Sequence, residues 1–188
     1  MASGALKRWQ GEGQHELDEL ETAHKSVGGA GRGRRWATRQ LNYAYALLVA
    51  AQFQRYCRDL HSEAVDALAD AAGPSMGAVL RAALLKNRRL DKGNASPSAI
   101  GADFDFLGTS KIWDAAKSVD VRTKGRQDAL EELNSYRNAI AHHDFSKVKP
   151  GLRLAKVVRW RRACDGLAAT LDVAVSQQVQ VVTNKAPW

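Results

Sequence analysis

The sequence predicts an all-α helical bundle built on two long helices, with shorter helices packed across them. Between Trp36 and Ala71 the chain has neither Gly nor Pro, and its apolar residues recur at steps of three and four positions. The segment from Leu152 to Gln178 repeats this spacing. Because a helix turns once every 3.6 residues, the spacing gathers apolar side chains on one face, which predicts two long amphipathic helices.

Shorter helices are predicted before and between these two. Gly73-Pro74 ends the first long helix, because Pro cannot continue a helix and restricts the residue before it. The next helix is predicted over residues 75–90, with its apolar residues facing the core: Met76, Val79, Leu80, Ala83 and Leu84. Further helices are predicted over residues 14–27, 103–119 and 126–143, with a loop over residues 91–102 and a flexible connector at the glycine run 28–33.

Length and composition fit one domain. The chain has 188 residues, of which 45% are hydrophobic and 26% charged, as in ordinary globular proteins. We expect a flexible N-terminus over residues 1–13, a single helical domain over residues 14–178 and a C-terminal tail over residues 179–188. Within that tail, Val179–Val182 is either a short strand or a frayed helix end.

The charge of the chain indicates a polyanionic partner. The formal net charge is +8 and the isoelectric point is about 9.7. Lys and Arg that neutralise phosphates release counterions, so nucleic acid is the first partner to consider. Three basic clusters supply the residues that we expect to contact RNA: Arg34, Arg35, Arg88, Arg89, Arg159, Arg161 and Arg162.

Cysteine usage and hydropathy indicate a cytoplasmic protein. Cys57 and Cys164 lie far apart, fit no metal-binding spacing and are expected to be reduced thiols. The most apolar run, Tyr43 to Phe53, is too short to span a bilayer, and the N-terminus lacks the apolar segment of a signal peptide. Neither a membrane, a metal ion nor an organic cofactor is expected.

A polar cluster near the end of the predicted helix 126–143 is the candidate site. It contains Arg137, Asn138 and two of the five His of the chain, within the segment LNSYRNAIAHHDF. Asn138 and His142 share the outward face, opposite an apolar stripe of Ala129, Leu133, Tyr136 and Ile140. Arg137 points about 140° away from His142 on an ideal helix. Long reach of the Arg side chain, local unwinding or a second chain is therefore needed to bring the two together.

These residue types suit RNA cleavage. A neutral imidazole can take the proton from a 2′-hydroxyl, and a guanidinium can hold the phosphate as it gains charge. Because no acidic cluster with metal-binding spacing lies beside them, the implied reaction is metal-independent attack by the 2′-oxygen. It would leave a 2′,3′-cyclic phosphate and a 5′-hydroxyl. Composition alone leaves open a solvated helix face without function, and the similar pair Arg55 and His61 is expected to be structural.

The phrase Tyr136–His142 resembles the Arg–polar–x–x–x–His signature of HEPN domains (higher eukaryotes and prokaryotes nucleotide-binding). Arg137, Asn138 and His142 match that signature position by position. The predicted bundle, over residues 14–175, is similar to HEPN domains of the RiboL-PSP type. The resemblance implies a metal-independent endoribonuclease that acts as a homodimer, with its active site at the dimer interface. Many such proteins are toxins or effectors of anti-phage defence.

The resemblance also assigns roles to individual residues. Arg137, Asn138 and His142 would be catalytic, and Tyr136, His143 and Asp144 are auxiliary candidates. His143 also satisfies the allowed spacing, but His142 is favoured because it shares a face with Asn138, whereas His143 is expected nearer the core. Some HEPN toxins carry a Tyr two residues after the His, which a partner antitoxin modifies. Asp144 occupies that position here, so this regulation is not expected.

Two other functions are compatible with these observations. The first is a non-catalytic HEPN module that dimerises or binds a nucleotide or a protein. The second is an RNA-binding protein without sequence preference, which would bind RNA and leave it intact. Under the enzyme interpretation the expected partners are RNA, such as tRNA or mRNA, a second copy of the chain and an antitoxin or defence-system protein.

Overall fold

The computed structural model of the chain describes residues 1–27, 35–149 and 151–188, apart from the side chains of residues 35–37. Within these ranges it is an all-α bundle without strands, which confirms the predicted fold class. The glycine run 28–33 lies outside them. The elements are α1 (Gly4–Arg8), a π-helical turn (Trp9–Gly13), α2 (Gln14–Val27), α3 (Arg35–Ala71), α4 (Pro74–Lys86), a 3₁₀ turn (Arg89–Asp91), α5 (Pro97–Phe104), α6 (Ile112–Val119), α7 (Thr123–His142) and α8 (Leu154–Thr183).

The two long helices, α3 and α8, form the centre of the bundle, and α7 packs against α8. Phe53 and Leu60 of α3 and Trp160 of α8 are fully buried in one hydrophobic core. The Tyr56 hydroxyl crosses this contact and donates to the carbonyl of Ala168 at 2.7 Å. No helix in the described part of the chain is both long and apolar enough to cross a bilayer.

Residues 4–13 are helical and bury Ala5, Leu6 and Trp9, where the sequence predicted a flexible segment over residues 1–13. Ser3 caps α1, and both its backbone amide and its hydroxyl donate to the carboxylate of Asp172 in α8. Trp9 is 4% exposed, and its Nε1 donates to Asp165 at 3.1 Å. Short, glycine-containing segments have weak helical signals, and contacts with α3 and α8 hold this one in place.

The C-terminal helix also continues further than predicted. Helix α8 runs to Thr183, and Val179 is fully buried, so the expected strand or frayed end at residues 179–182 is neither. Val175 and Val179 are one turn apart and extend the apolar stripe. Asn184, in the left-handed conformation, ends the helix, and only the last few residues follow it.

Helix α4 packs by a different face from the one predicted. Met76 and Val79, expected inside, are 58% and 62% exposed. Gly77 is buried instead, and a Cβ added to it would lie 2.2 Å from the Ala69 carbonyl oxygen of α3. The two backbones approach closely only because Gly has no side chain, and of the predicted stripe only Leu80 and Leu84 are half-buried.

The segment between α4 and α7 contains more helix than the sequence indicated. Residues 97–104, predicted mainly as loop, form α5, and the Ser96 hydroxyl accepts from the Ala99 amide at 3.1 Å as its N-cap. Pro97 occupies the first helical position, where its missing N–H costs nothing. The predicted weak helix 103–119 is α6 only from Ile112 onward. Ser96-Pro97 begins a helix here, although the same residue types are also typical of turns.

His61 is a core residue, as expected for a structural role. It is 1% exposed and lies edge-on to Phe104, with 5.2 Å between ring centroids. Its Nδ1 has no hydrogen-bond partner in the described part of the chain. Burial, together with the charge of Arg88, lowers the pKa of His61 from 6.5 to about 4. The folded protein therefore holds this imidazole neutral.

This burial predicts a loss of stability in mild acid. The contribution of neutral His61 is complete above pH 6.5 and is lost as the pH falls toward 4, because the unfolded chain takes up the proton first. We expect the free energy of unfolding to fall by up to about 1.4 kcal/mol per pH unit in this window. His61→Phe should flatten the slope in urea unfolding, and exposed His15→Gln should not. Equal slopes in all three proteins would contradict this assignment.

Candidate active site

The orientation of α7 agrees with the predicted faces of the motif. Leu133 and Tyr136 are buried, at 0% and 5% exposure. Asn138 and His142 are exposed, and Arg137 is half-buried at the edge of the apolar stripe. The core contacts of α7 thus fix which motif side chains face solvent.

Arg137 and Asn138 are in direct contact. The Arg137 Nη1 donates to the Asn138 Oδ1 at 3.3 Å, and Asn94 Nδ2 donates to the same oxygen at 2.8 Å. Because that oxygen accepts both bonds, the amide nitrogen of Asn138 is left to donate outward. Among the described residues Arg137 has no acidic partner within ion-pair distance, so most of its guanidinium donors remain for an anion.

The end of α7 is a Schellman motif. The Asp144 amide donates to the Ala139 carbonyl at 3.0 Å, and the His143 amide to the Ile140 carbonyl at 3.4 Å. His143 adopts the left-handed conformation, with φ of 52°. The chain stays helical through His142, so this histidine is the last residue held in register with Asn138.

Within one chain the structure does not join Arg137 to His142. No hydrogen bond links His142 to Arg137 or Asn138 in the described residues, and α7 is not unwound between them. On a regular helix the two side chains leave the axis about 140° apart. Local unwinding, one of the three ways to bring the two side chains together, is absent from this conformation. A long reach of the Arg137 side chain or a second chain remains.

His143 is exposed, where the sequence predicted a position nearer the core. The helix ends one residue earlier than expected, so the ideal-helix position does not apply to it. A non-glycine residue in the left-handed conformation is strained. We therefore expect His143→Gly to raise the free energy of unfolding by about 0.5–1 kcal/mol. Asn184→Gly is the matched control, with a smaller gain because the short polar side chain of Asn can hydrogen-bond locally in this conformation. A lower free energy of unfolding in urea for His143→Gly than for the wild type would contradict the presence of strain at this position.

The two other auxiliary candidates have structural partners. The Tyr136 hydroxyl donates to the Lys149 carbonyl at 3.0 Å and accepts from Lys156 Nζ at 3.1 Å, which fixes the loop that leads to α8. The Asp144 carboxylate accepts from the Ser146 amide at 3.0 Å, and hydrogen bonds with Ser146 lower the pKa of Asp144. Both side chains are satisfied by contacts that shape the end of α7.

Two of the arginines expected to contact RNA are engaged inside the fold. Arg88 is paired with Asp91 at 2.8 Å, and only 12% of its side chain is exposed. Arg161 is 13% exposed and binds Asp18 at 2.7 Å and Gln14 at 2.8 Å. These partners account for both guanidiniums and favour structural roles for them.

The remaining arginines of that set differ in their surroundings. Arg159 is 63% exposed and is paired with Glu132. Arg89 and Arg162 are exposed and have no ion pair among the described residues. Arg34 lies outside the described residues, as does the side chain of Arg35. The exposed cationic surface that the structure describes is therefore smaller than the sequence suggested.

Glu132 connects α7 to the start of α8 through contacts with three side chains. It is paired with Lys156 at 2.6 Å and with Arg159, and it accepts from Trp160 Nε1 at 2.9 Å. Burial acts to raise the pKa of Glu132, but the hydrogen bonds from Lys156 and Trp160 outweigh it, and the pKa is lowered. This ionised carboxylate anchors the motif helix one turn before Tyr136.

Asn94 is the contact residue that the sequence did not reveal. It precedes Asn138 by 44 positions, in a turn-rich segment without any motif. Only the folding of residues 92–96 against α7 brings the two amides together.

Other chemistry-bearing groups do not converge on this site. Cys57 and Cys164 are free and buried, and burial raises the pKa of both thiols. In the ranges that the structure describes, no group of three or more His, Cys, Asp or Glu could hold a metal ion.

No protein-family model, curated protein or solved structure matches this chain. The resemblance to HEPN domains therefore stays an expectation from the sequence of residues 136–142.

Proposed function

We propose that the protein is a metal-independent endoribonuclease of the HEPN type. The observation that supports this most is the environment of the Arg137 side chain. It is half-buried, unpaired by any described acidic residue and in contact with Asn138. A cation kept without a counter-charge beside an amide suits the binding of a phosphate. The exposed His142 lies on the same helix, one turn after Asn138.

Each motif residue has a defined role in this proposal. His142 takes the proton from the 2′-hydroxyl, and the 2′-oxygen then attacks the adjacent phosphorus. Arg137 stabilises the extra negative charge, and Asn138 holds Arg137 and donates its amide N–H to the phosphate. The bond to the 5′-oxygen breaks, that oxygen takes a proton from a second imidazole, and a 2′,3′-cyclic phosphate remains.

The active site is proposed to be shared between two chains. The separate directions of Arg137 and His142 on α7 support this, because neither reaches the other within the described chain. A two-fold axis beside the exposed face of α7 would bring two copies of the motif into one cleft. His142 of the second copy then supplies the acid that the leaving 5′-oxygen requires. Such an enzyme would serve as a toxin or an anti-phage defence effector, restrained by an antitoxin or defence-system partner.

A substrate with a single ribonucleotide in a DNA strand tests the reaction. We expect cleavage in EDTA only after the ribonucleotide, with a 2′,3′-cyclic phosphate on the product. The same strand with a 2′-O-methyl group at that position is the control and should stay intact. Cleavage of all-DNA strands, or loss of cleavage in EDTA, would contradict the proposal.

A non-catalytic binding module is the second candidate. It is favoured by the absence of any described contact between Arg137 and His142, because a surface that only binds does not require these two side chains to meet. This candidate predicts RNA or protein binding without product formation by the purified dimer.

A further inference from the structure

A polar groove of about 390 Å³ adjoins Asn138. Its walls are the 3₁₀ turn 89–91, the loop 92–96 and the outer face of α7. We call it the Asn94 groove, and its polar lining includes Arg89, Lys92, Asn94, Ser96, Ser135 and Asn138.

The floor of the Asn94 groove is held by a buried side chain from α5 and a half-buried one from α3. The Asp103 carboxylate, 6% exposed, accepts from the amides of Arg89 and Leu90, each at 2.9 Å. Gln54 Nε2 donates to the carbonyls of Leu90 at 2.8 Å and Gly93 at 2.7 Å. These four hydrogen bonds fix the turn that carries the basic residues.

The loop is also fastened to α7. Asn134, 6% exposed, donates to the Ala95 carbonyl at 3.1 Å, and Asn94 donates to Asn138 at 2.8 Å. The groove is thus formed before any ligand arrives, which lowers the entropic cost of binding.

The groove separates two kinds of polar group. Arg89 and Lys92 are exposed on the turn, and neither makes an ion pair in the described ranges. Amides and hydroxyls of Asn94, Ser96 and Ser135, together with the exposed carboxylate of Glu131, line the part next to α7. Free cations suit phosphate oxygens. Amides, hydroxyls and a carboxylate, which accepts hydrogen bonds from amino groups, suit the edge of an unpaired base.

We propose that the Asn94 groove binds one unpaired nucleotide of single-stranded RNA, beside the phosphate that is cleaved. Arg89 and Lys92 contact the backbone phosphate of that nucleotide and its neighbour, while Asn94 and Ser135 contact the base. This assignment rests on Asn138, which lines the groove and is also in contact with Arg137 of the motif. The inference rests on the proposed function, whose substrate strand it extends.

The test is equilibrium binding of a fluorescent 2′-O-methyl oligonucleotide, which cannot be cleaved. Arg89→Gln with Lys92→Gln should weaken binding about tenfold and reduce the slope of log affinity against log salt by about 1.4, for two phosphate contacts. Lys7→Gln with Lys185→Gln removes the same charge from exposed positions elsewhere and is the matched control. Asn94→Ala should weaken binding without changing the salt slope, and should reduce any preference among strands that differ in one base.

The outcomes separate this inference from the proposed function. Selective loss of binding in the groove variant supports the groove, even if the wild type cleaves no RNA. Equal binding by the groove and control variants overturns it, even if the wild type is a nuclease. An equal loss in both pairs also overturns it, because charge alone then accounts for affinity.

Discussion

Arg137→Ala and His142→Ala are each expected to lower the rate of RNA cleavage by at least about 100-fold. Arg137 is the cation of the motif that no described acidic residue neutralises, and His142 is the exposed imidazole in register with Asn138. Neither side chain carries a described contact that holds helices together. Both variants should therefore unfold in urea near the wild-type midpoint, which separates a catalytic loss from a folding defect.

Neighbouring substitutions provide controls of matched chemistry. His143→Ala removes the adjacent imidazole, which lies on the left-handed residue beyond the helix, and should retain most activity. Arg137→Lys keeps the charge and loses the two-pronged contact with phosphate, so intermediate activity is expected. Full activity of His142→Ala with loss in His143→Ala would transfer the catalytic role to His143.

Mixing equal amounts of wild-type and His142→Ala protein tests the shared site. After random exchange of subunits, a quarter of the dimers are wholly wild type. If the cleft needs His142 from both chains, activity should fall to about a quarter of that of the same total amount of wild-type protein. Half of that activity after proven exchange would mean that each chain cleaves with its own His142.

Trp9→Ala is expected to reduce the free energy of unfolding by about 3–5 kcal/mol. The indole is 4% exposed and lies edge-on to Phe53, with 5.8 Å between ring centroids. It also donates to the Asp165 carboxylate at 3.1 Å. Truncation to Ala opens a cavity and leaves that half-buried carboxylate, whose pKa burial already raises, with one donor fewer.

Urea unfolding at neutral pH measures this effect. Lys7→Ala, at an exposed position of the adjoining helix α1, should change stability by less than about 0.5 kcal/mol. Trp9→Phe should lie between the two. A Trp9→Ala protein within about 1 kcal/mol of wild type would mean that residues 1–13 contribute little to the core, as the sequence alone suggested.

The long helices were predictable because their signal is repeated many times. Eight or more turns of apolar spacing in α3 and α8 outweigh any single exception. Helix α1 gives no such signal, and its position depends on Ser3 and Trp9 meeting Asp172 and Asp165 in α8, far along the chain. The face of α4 was missed because Gly77, which has no side chain, determines the contact.

At the candidate site, too, local sequence patterns predict the helix faces but not the contacts between distant residues. The faces of α7 follow from helical period, so Asn138 and His142 were placed correctly outside. The ion pair of Arg161 with Asp18 and the contact of Asn138 with Asn94 join residues distant in sequence, and no local pattern encodes them. His143 was misplaced because an ideal helix was extended one residue beyond its real end.

The most direct test is incubation of purified wild-type and His142→Ala proteins with total RNA and tRNA in EDTA. We predict cleavage by the wild type alone, with 2′,3′-cyclic phosphate and 5′-hydroxyl ends. Equal cleavage by both proteins, or intact RNA with both across varied substrates, would contradict an active site at Arg137, Asn138 and His142.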